Sequence, residues 1–120
     1  MRQHYSNQSL IKKMGHAFYG IGKAFKNERN IRYQTVIGFC VIIVSFILHI
    51  SKTDWAILLA LIALVIATEL INTAIEGVVD LVTLDEHPLA KEIKDIAAGA
   101  VVVTALAALV IGILILSKYI

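Results

Sequence analysis

Residues 96–116 run for 21 positions without a charge, and that run leaves few folds open. About 20 helical residues cross the ~30 Å hydrocarbon core of a bilayer. A backbone in hydrocarbon must satisfy its own polar groups, which a helix does. Two further apolar blocks precede it: 36–50, interrupted only by Gly38, Ser45 and His49, and 55–67, which continues as a helix into an acidic segment. The first two need polar flanks or that amphipathic extension to reach spanning length. With 58% hydrophobic residues in 120 and a mean hydropathy of +0.80, the chain is far more apolar than a soluble domain of its size. The expected fold is all-α and integral to the membrane. It is a single domain over 1–120, with a surface helix at 10–27 and membrane helices near 33–50, 54–81 and 89–117.

The first block begins too late, behind too much chain, to be a cleaved signal peptide. Basic residues then set the orientation. Residues 1–32 carry seven Lys or Arg, and 81–95 adds Lys91 and Lys94, whereas the 51–54 turn has only Lys52 and the C-terminus only Lys118. The positive-inside rule places the N-terminal arm and the 81–95 connection in the cytoplasm. A net charge of +2 is too small, and too concentrated near the membrane, to suggest nucleic acid, and no nucleic-acid partner is expected. Cys40, alone in an apolar block, reads as a packing residue. Trp55 and Tyr119 read as interfacial anchors, and His49 as an interfacial polar residue.

Residues 1–9 are polar and expected to be poorly ordered. From there Leu10, Met14, Ala17, Phe18, Ile21 and Phe25 form an apolar stripe, with Lys12, Lys13, His16, Lys23 and Lys26 mostly off it. That spacing predicts an amphipathic helix suited to the inner membrane surface or to a partner protein. Gly15, Gly20 and Gly22 weaken it as an isolated helix, and Gly20-Ile21-Gly22-Lys23 lacks the spacing and strand context of a phosphate loop. Glu28 is the only acid before position 54. Taken alone, it reads as a surface ion pair with Arg29 or Arg32, worth little.

The acidic segment carries the chemistry. At about 100° per residue, Glu69, Asn72, Glu76 and Asp80 fall within an arc of roughly 80° on one helix face. An ionisable group in or beside hydrocarbon costs at least ~2.5 kcal/mol, so this stripe requires a cation, protons or a partner. Spacing alone leaves open catalysis, cation or proton transport, and the joining of helices through residues such as Asn72.

Seven of the nine acids lie between Glu69 and Asp95, with lysines only at the far end of that segment. Pro88 suits the first turn of a new helix, started by Asp85, Glu86 and His87. Lys91, Lys94 and Asp95 share a face at its entrance. His87 by itself reads as a solvated loop or cap residue. Acids beside a lysine at a cytoplasmic membrane surface suit a magnesium nucleotide, since Mg²⁺ takes one or two carboxylates and leaves the rest of its shell to phosphates and water. Glu69 lies about 10 Å deeper than Glu76 along the helix. That separation suits a kinase whose acceptor is a membrane alcohol, with Glu69 taking the hydroxyl proton.

The run Glu69-Leu-Ile-Asn72-Thr-Ala-Ile-Glu76-Gly-Val-Val-Asp80 resembles the signature of the small prokaryotic diacylglycerol kinase family. So does His87-Pro-Leu-Ala-Lys-Glu-Ile-Lys94-Asp95-Ile-Ala-Ala98-Gly99-Ala, with Gly20, Asn27-Glu28 and Arg32 upstream. The resemblance covers residues 10–117. It implies a bacterial plasma-membrane homotrimer, multi-pass, with cytoplasmic active sites shared between protomers, that transfers the ATP γ-phosphate to a lipid hydroxyl. It further implies Glu69 as general base oriented by Asn72, and Glu28 and Glu76 holding Mg²⁺ against the nucleotide. Lys94 would meet the phosphates, with Asp95, His87, Asp85 and Glu86 around the nucleoside and Asp80 in support. Glu69, Ala98 and Arg32 would meet the lipid. Gln34 and Ala98 replace an acid and a serine of the diacylglycerol branch, and the wording resembles the undecaprenol kinases. Undecaprenol is therefore the expected acceptor, with diacylglycerol as the alternative and a small cation- or proton-coupled transporter as the alternative of another class.

Overall fold

The computed structural model describes residues 9–120, all of whose regular structure is helical. Helix α1 spans Leu10–Asn27, α2 Arg29–Leu48, α3 Lys52–Val82 and α4 Pro88–Ser117. The last three are long and apolar enough to cross a membrane. The expectation for the N-terminal tail lies outside the described residues except at Ser9, whose hydroxyl accepts the Lys12 N–H and caps α1.

Each boundary has a local cause. Glu28 adopts an extended conformation (φ −112°, ψ 114°) between α1 and α2, and its N–H still bonds to the Ala24 carbonyl at 2.8 Å. Arg32 secures this junction by donating from Nη1 to the carbonyls of Phe25 (2.9 Å) and Lys26 (2.8 Å), the open acceptors of the last turn of α1. His49 ends α2 in the left-handed region at φ 54°, where glycine is the usual occupant. Ser51 caps α3 by accepting the Asp54 N–H at 3.1 Å. His87 caps α4 through Nδ1, which accepts the Leu89 N–H at 3.1 Å, and Pro88 fills the first helical position, where no N–H is needed.

Helices α3 and α4 form an antiparallel pair, with α2 packed on α3. Helix α2 comes close to α3 at Gly38, where a Cβ would lie 2.9 Å from Cγ2 of Ile62. At the end of the bundle opposite the acidic stripe, Ile50, Leu58 and Ile115 pack together, with Trp55 and Tyr119 against them. Asp54 sits in this cluster, 5% exposed. Lys118 Nζ donates to it at 2.9 Å, the Tyr119 hydroxyl donates to it as well, and that hydroxyl accepts the Ser51 N–H at 3.0 Å. Tyr119 thus ties the end of α4 to the start of α3, a more specific role than interfacial anchoring. Asp54 also holds the Lys118 ammonium above the ordinary lysine range.

Outside these contacts the bundle surface is apolar. Ile47, Val103, Leu106 and Leu114 are all exposed, an arrangement that suits surroundings of lipid or further helices. Helix α1 buries none of its residues.

Candidate functional site

The deeper part of the acidic stripe of α3, around Glu69, faces the junction between α1 and α2. Glu69 is 2% exposed and Asn72 7%, although both are polar and lie on a helix long and apolar enough to cross a membrane. The Glu69 carboxylate meets the side chains of Asn30 and Asn72 and faces the carboxylates of Glu76 and Glu28. Asn72 Nδ2 donates to Oε1 of Glu76 at 3.3 Å, which spans one helical turn of the stripe. Asn72 Oδ1 and its neighbour Thr73 Oγ1 are buried without a hydrogen-bond partner among the described residues, an expensive condition inside a helix bundle.

Glu28 reaches this group because the α1–α2 break holds it beside α3. It makes no ion pair with Arg29 or Arg32 among the described residues, since the Arg32 guanidinium is committed to backbone carbonyls. The surface-pair reading of Glu28 is therefore not met by either arginine, and for Arg32 the reason is concrete: its guanidinium is spent on closing a helix end. Asn30, the second residue of α2 at the same junction, is not legible in the sequence as a site residue. Its contact with Glu69 joins two helices that are far apart in sequence, and no one-helix pattern signals it.

The second group lies where α3 hands over to α4. Lys94 Nζ donates to Oδ1 of Asp80 at 2.7 Å across the 83–87 turn, so Asp80 looks toward α4 while Glu69 and Asn72 are buried against α2. Lys91 pairs with Asp95 one turn along α4. Asp85, Glu86 and His87 are exposed in the connecting turn, the Asp85 N–H bonding to Thr83 Oγ1 at 3.1 Å. Ala98 lies exposed on α4, one turn beyond Lys94.

Two chemical environments follow. One is a buried carboxylate, Glu69, surrounded by amides and by two more carboxylates, with no Lys, Arg or His paired to any of the three among the described residues. The other is an open, mixed-charge rim formed by Asp80, Lys94, Lys91 and Asp95. Uncompensated negative charge of the first kind suits a divalent cation. Among the described residues no group of three or more His, Cys, Asp or Glu is set to enclose a metal, and the donor set of Glu28 and Glu76 matches an ion that takes one or two carboxylates and leaves its remaining positions to phosphates and water. A lysine at the rim, with N–H groups to spare beyond its bond to Asp80, suits phosphate oxygens.

Comparison with known proteins gives consistent results. The family model for prokaryotic diacylglycerol kinase matches residues 15–116. The undecaprenol kinase of Bacillus subtilis is 43% identical over 106 residues, which is 88% of this chain and 86% of that protein. A diacylglycerol kinase of Synechocystis is 42% identical over 105 residues, 87% of this chain but 60% of its own greater length. A diacylglycerol kinase of Pseudomonas aeruginosa is 34% identical over 91 residues, 76% of this chain and 74% of that protein.

Proposed function

We propose that this chain, which belongs to the prokaryotic diacylglycerol kinase family and is a lipid kinase, phosphorylates undecaprenol with ATP to give undecaprenyl phosphate. The observation that carries the mechanism is the buried carboxylate of Glu69, faced by Glu28 and Glu76 with no cation paired to any of the three among the described residues, beside an open rim bearing Lys94. The choice of acceptor is supported by the Bacillus subtilis relative, which matches along nearly its whole length, and by Gln34 and Ala98. The similarity to the Synechocystis diacylglycerol kinase keeps diacylglycerol as the second reading.

In this reading the hydroxyl of the acceptor reaches Glu69 from within the bilayer. The Glu69 carboxylate takes its proton as the oxygen attacks the γ-phosphorus, and the bond from that phosphorus to the β–γ bridging oxygen breaks to release ADP. Asn72, bridging toward Glu76, fixes the orientation of the base. Glu28 and Glu76 would hold Mg²⁺, which supplies charge neutralisation on the transferring phosphate. Lys94 keeps donors for the phosphates beyond the one it gives Asp80, and Asp85, Glu86, His87 and Asp95 surround the nucleoside side of the rim. Arg32 contributes at the lipid end by keeping the α1–α2 junction closed.

The active unit is a homotrimer with sites shared between protomers in the bacterial plasma membrane, the rim facing the cytoplasm. The exposed apolar flanks of the bundle and the orphaned acceptors Asn72 Oδ1 and Thr73 Oγ1 support added helices around the stripe. Helix α1, with its apolar stripe unburied, lies on the inner membrane surface.

Phosphate transfer from labelled ATP in mixed micelles, with undecaprenol and diacylglycerol at equal mole fraction, tests the assignment. Faster Mg²⁺-dependent labelling of undecaprenol is expected. Faster labelling of diacylglycerol overturns the acceptor and keeps the mechanism, whereas equal labelling by the Glu69→Gln variant overturns the mechanism.

A further inference from the structure

The three-residue turn 49–51 reverses the chain, so α2 and α3 run antiparallel, and the approach of Gly38 to Ile62 sets their register. Eight residues from that level toward the acidic end, about 12 Å along each helix, Asn30 of α2 stands opposite Leu70 of α3, beside Glu69. Ile31, 2% exposed, packs this first turn of α2 inward. Asn30 itself is exposed, yet its side chain reaches the buried Glu69 carboxylate. Glu69 therefore has amide partners on two helices, and they are not equivalent. Asn72 shares α3 with the base and gives an N–H to Oε1 of Glu76 at 3.3 Å, so its orientation follows a carboxylate proposed to hold Mg²⁺. Asn30 belongs to the corner that Glu28 opens and Arg32 closes, so its orientation follows the α1–α2 junction.

We infer that Asn30 is a positioning residue for the base: its Nδ2–H donates to the Glu69 carboxylate across the α2–α3 contact and keeps that carboxylate aimed at the acceptor hydroxyl. The inference rests on the lipid-kinase reading with Glu69 as base. A carboxylate facing two others is pushed away from them, into whatever space its side-chain torsions allow. Glu28 and Glu76 face Glu69 in this way, and no salt bridge neutralises it among the described residues. An amide donor answers that push without bringing a charge. It takes one of about four lone-pair sites on the carboxylate and leaves others free for the hydroxyl proton. An ammonium or guanidinium in the same place would hold the carboxylate more strongly and make it a poorer base. Donors on two helices also fix direction, which a donor on the base's own helix does not do alone, and proton transfer is sensitive to displacements of about 1 Å.

In the full-length protein, Asn30→Ala removes the donor from an exposed helical position where alanine is well tolerated, so the melting temperature should hold. The expected result is a kcat lowered about 10–100-fold, with KM for ATP and for the lipid alcohol within about twofold of the unsubstituted chain. Asn30→Asp keeps the size and reverses the role, setting another like charge against the base, and should lose more. The decisive measurement is a double-mutant cycle. In the Glu69→Gln background there is no base to aim, so adding Asn30→Ala should leave the residual transfer within about twofold. An unchanged kcat in Asn30→Ala overturns the inference. So does a loss of the same factor in both backgrounds, or one that tracks a lowered melting temperature, which marks Asn30 as structural only. Failure of the reading beneath it looks different. The unsubstituted chain then labels no lipid alcohol, or Glu69→Gln labels it as fast, and either result overturns base and inference together without any change at Asn30.

Discussion

Helix α3 carries two buried carboxylates, and their surroundings are opposites. Asp54, in its first turn, is 5% exposed and is met by the Lys118 ammonium, the Tyr119 hydroxyl and the Ser51 cap. Glu69, about 22 Å further along, is 2% exposed and is met by two amides and two like charges. Both acids sit on an apolar helix where an ionised group is costly. At Asp54 every requirement is met from within the chain, as in a group that holds a structure together. At Glu69 the chain leaves the requirement open, as in a group that waits for something to bind or react.

Neutralising each acid should separate these roles. The largest effect is expected for Glu69→Gln, which should lower phosphate transfer by ~10²–10⁴-fold while the melting temperature holds or rises, because a repelled charge is removed. Nucleotide binding should survive in Glu69→Gln and weaken in Glu76→Gln, as read by titration with a fluorescent ATP analogue and Mg²⁺. Equal binding losses in the two variants would sink the division between base and metal ligand.

Asp54→Asn should do the reverse. It removes the negative charge opposite the Lys118 ammonium and one of the two oxygens that accept from Lys118 and Tyr119, and is expected to lower the melting temperature in detergent, with the pH dependence and acceptor preference of turnover unaltered. A large loss of turnover in a variant of unchanged stability would break the comparison.

The smallest effect concerns pH. The Lys118 ammonium is held above its unfolded value, near 10.4, by Asp54. A raised pKa contributes stability that is fully present below the unfolded value and disappears as pH rises through the folded one. The difference in melting temperature between the unsubstituted chain and Lys118→Met should therefore stay constant up to about pH 10 and narrow above it. The exposure of the Lys118 side chain keeps this effect small.

The contrast between the two acids also explains how much could be read in advance. The three long apolar helices were legible because each is a property of a continuous run, as in residues 96–116. The grouping of Glu69, Asn72 and Glu76 was legible because it follows from the pitch of one helix. What connects distant segments was not. Asp54 looked like part of a polar turn, and its partners Lys118 and Tyr119 lie 64 and 65 residues away. The contact of Asn30 with Glu69 is equally non-local. Arg32 sits close to Glu28 in sequence, yet carbonyls at the end of α1 claim its guanidinium. The sequence showed the charge there but gave no sign of this competing acceptor.

Glu28 occupies the one residue between α1 and α2. Its backbone does the work of the break, with the N–H bonded to Ala24 and the chain extended, while its side chain makes no capping bond to either helix. Shape and charge at this position are consequently independent variables. A substitution such as Glu28→Gln can erase the charge and leave the corner intact, whereas a helix-favouring change nearby can straighten the corner and leave the charge in place. Few positions allow the architecture of a site and its electrostatics to be altered one at a time, and here a single residue supplies both.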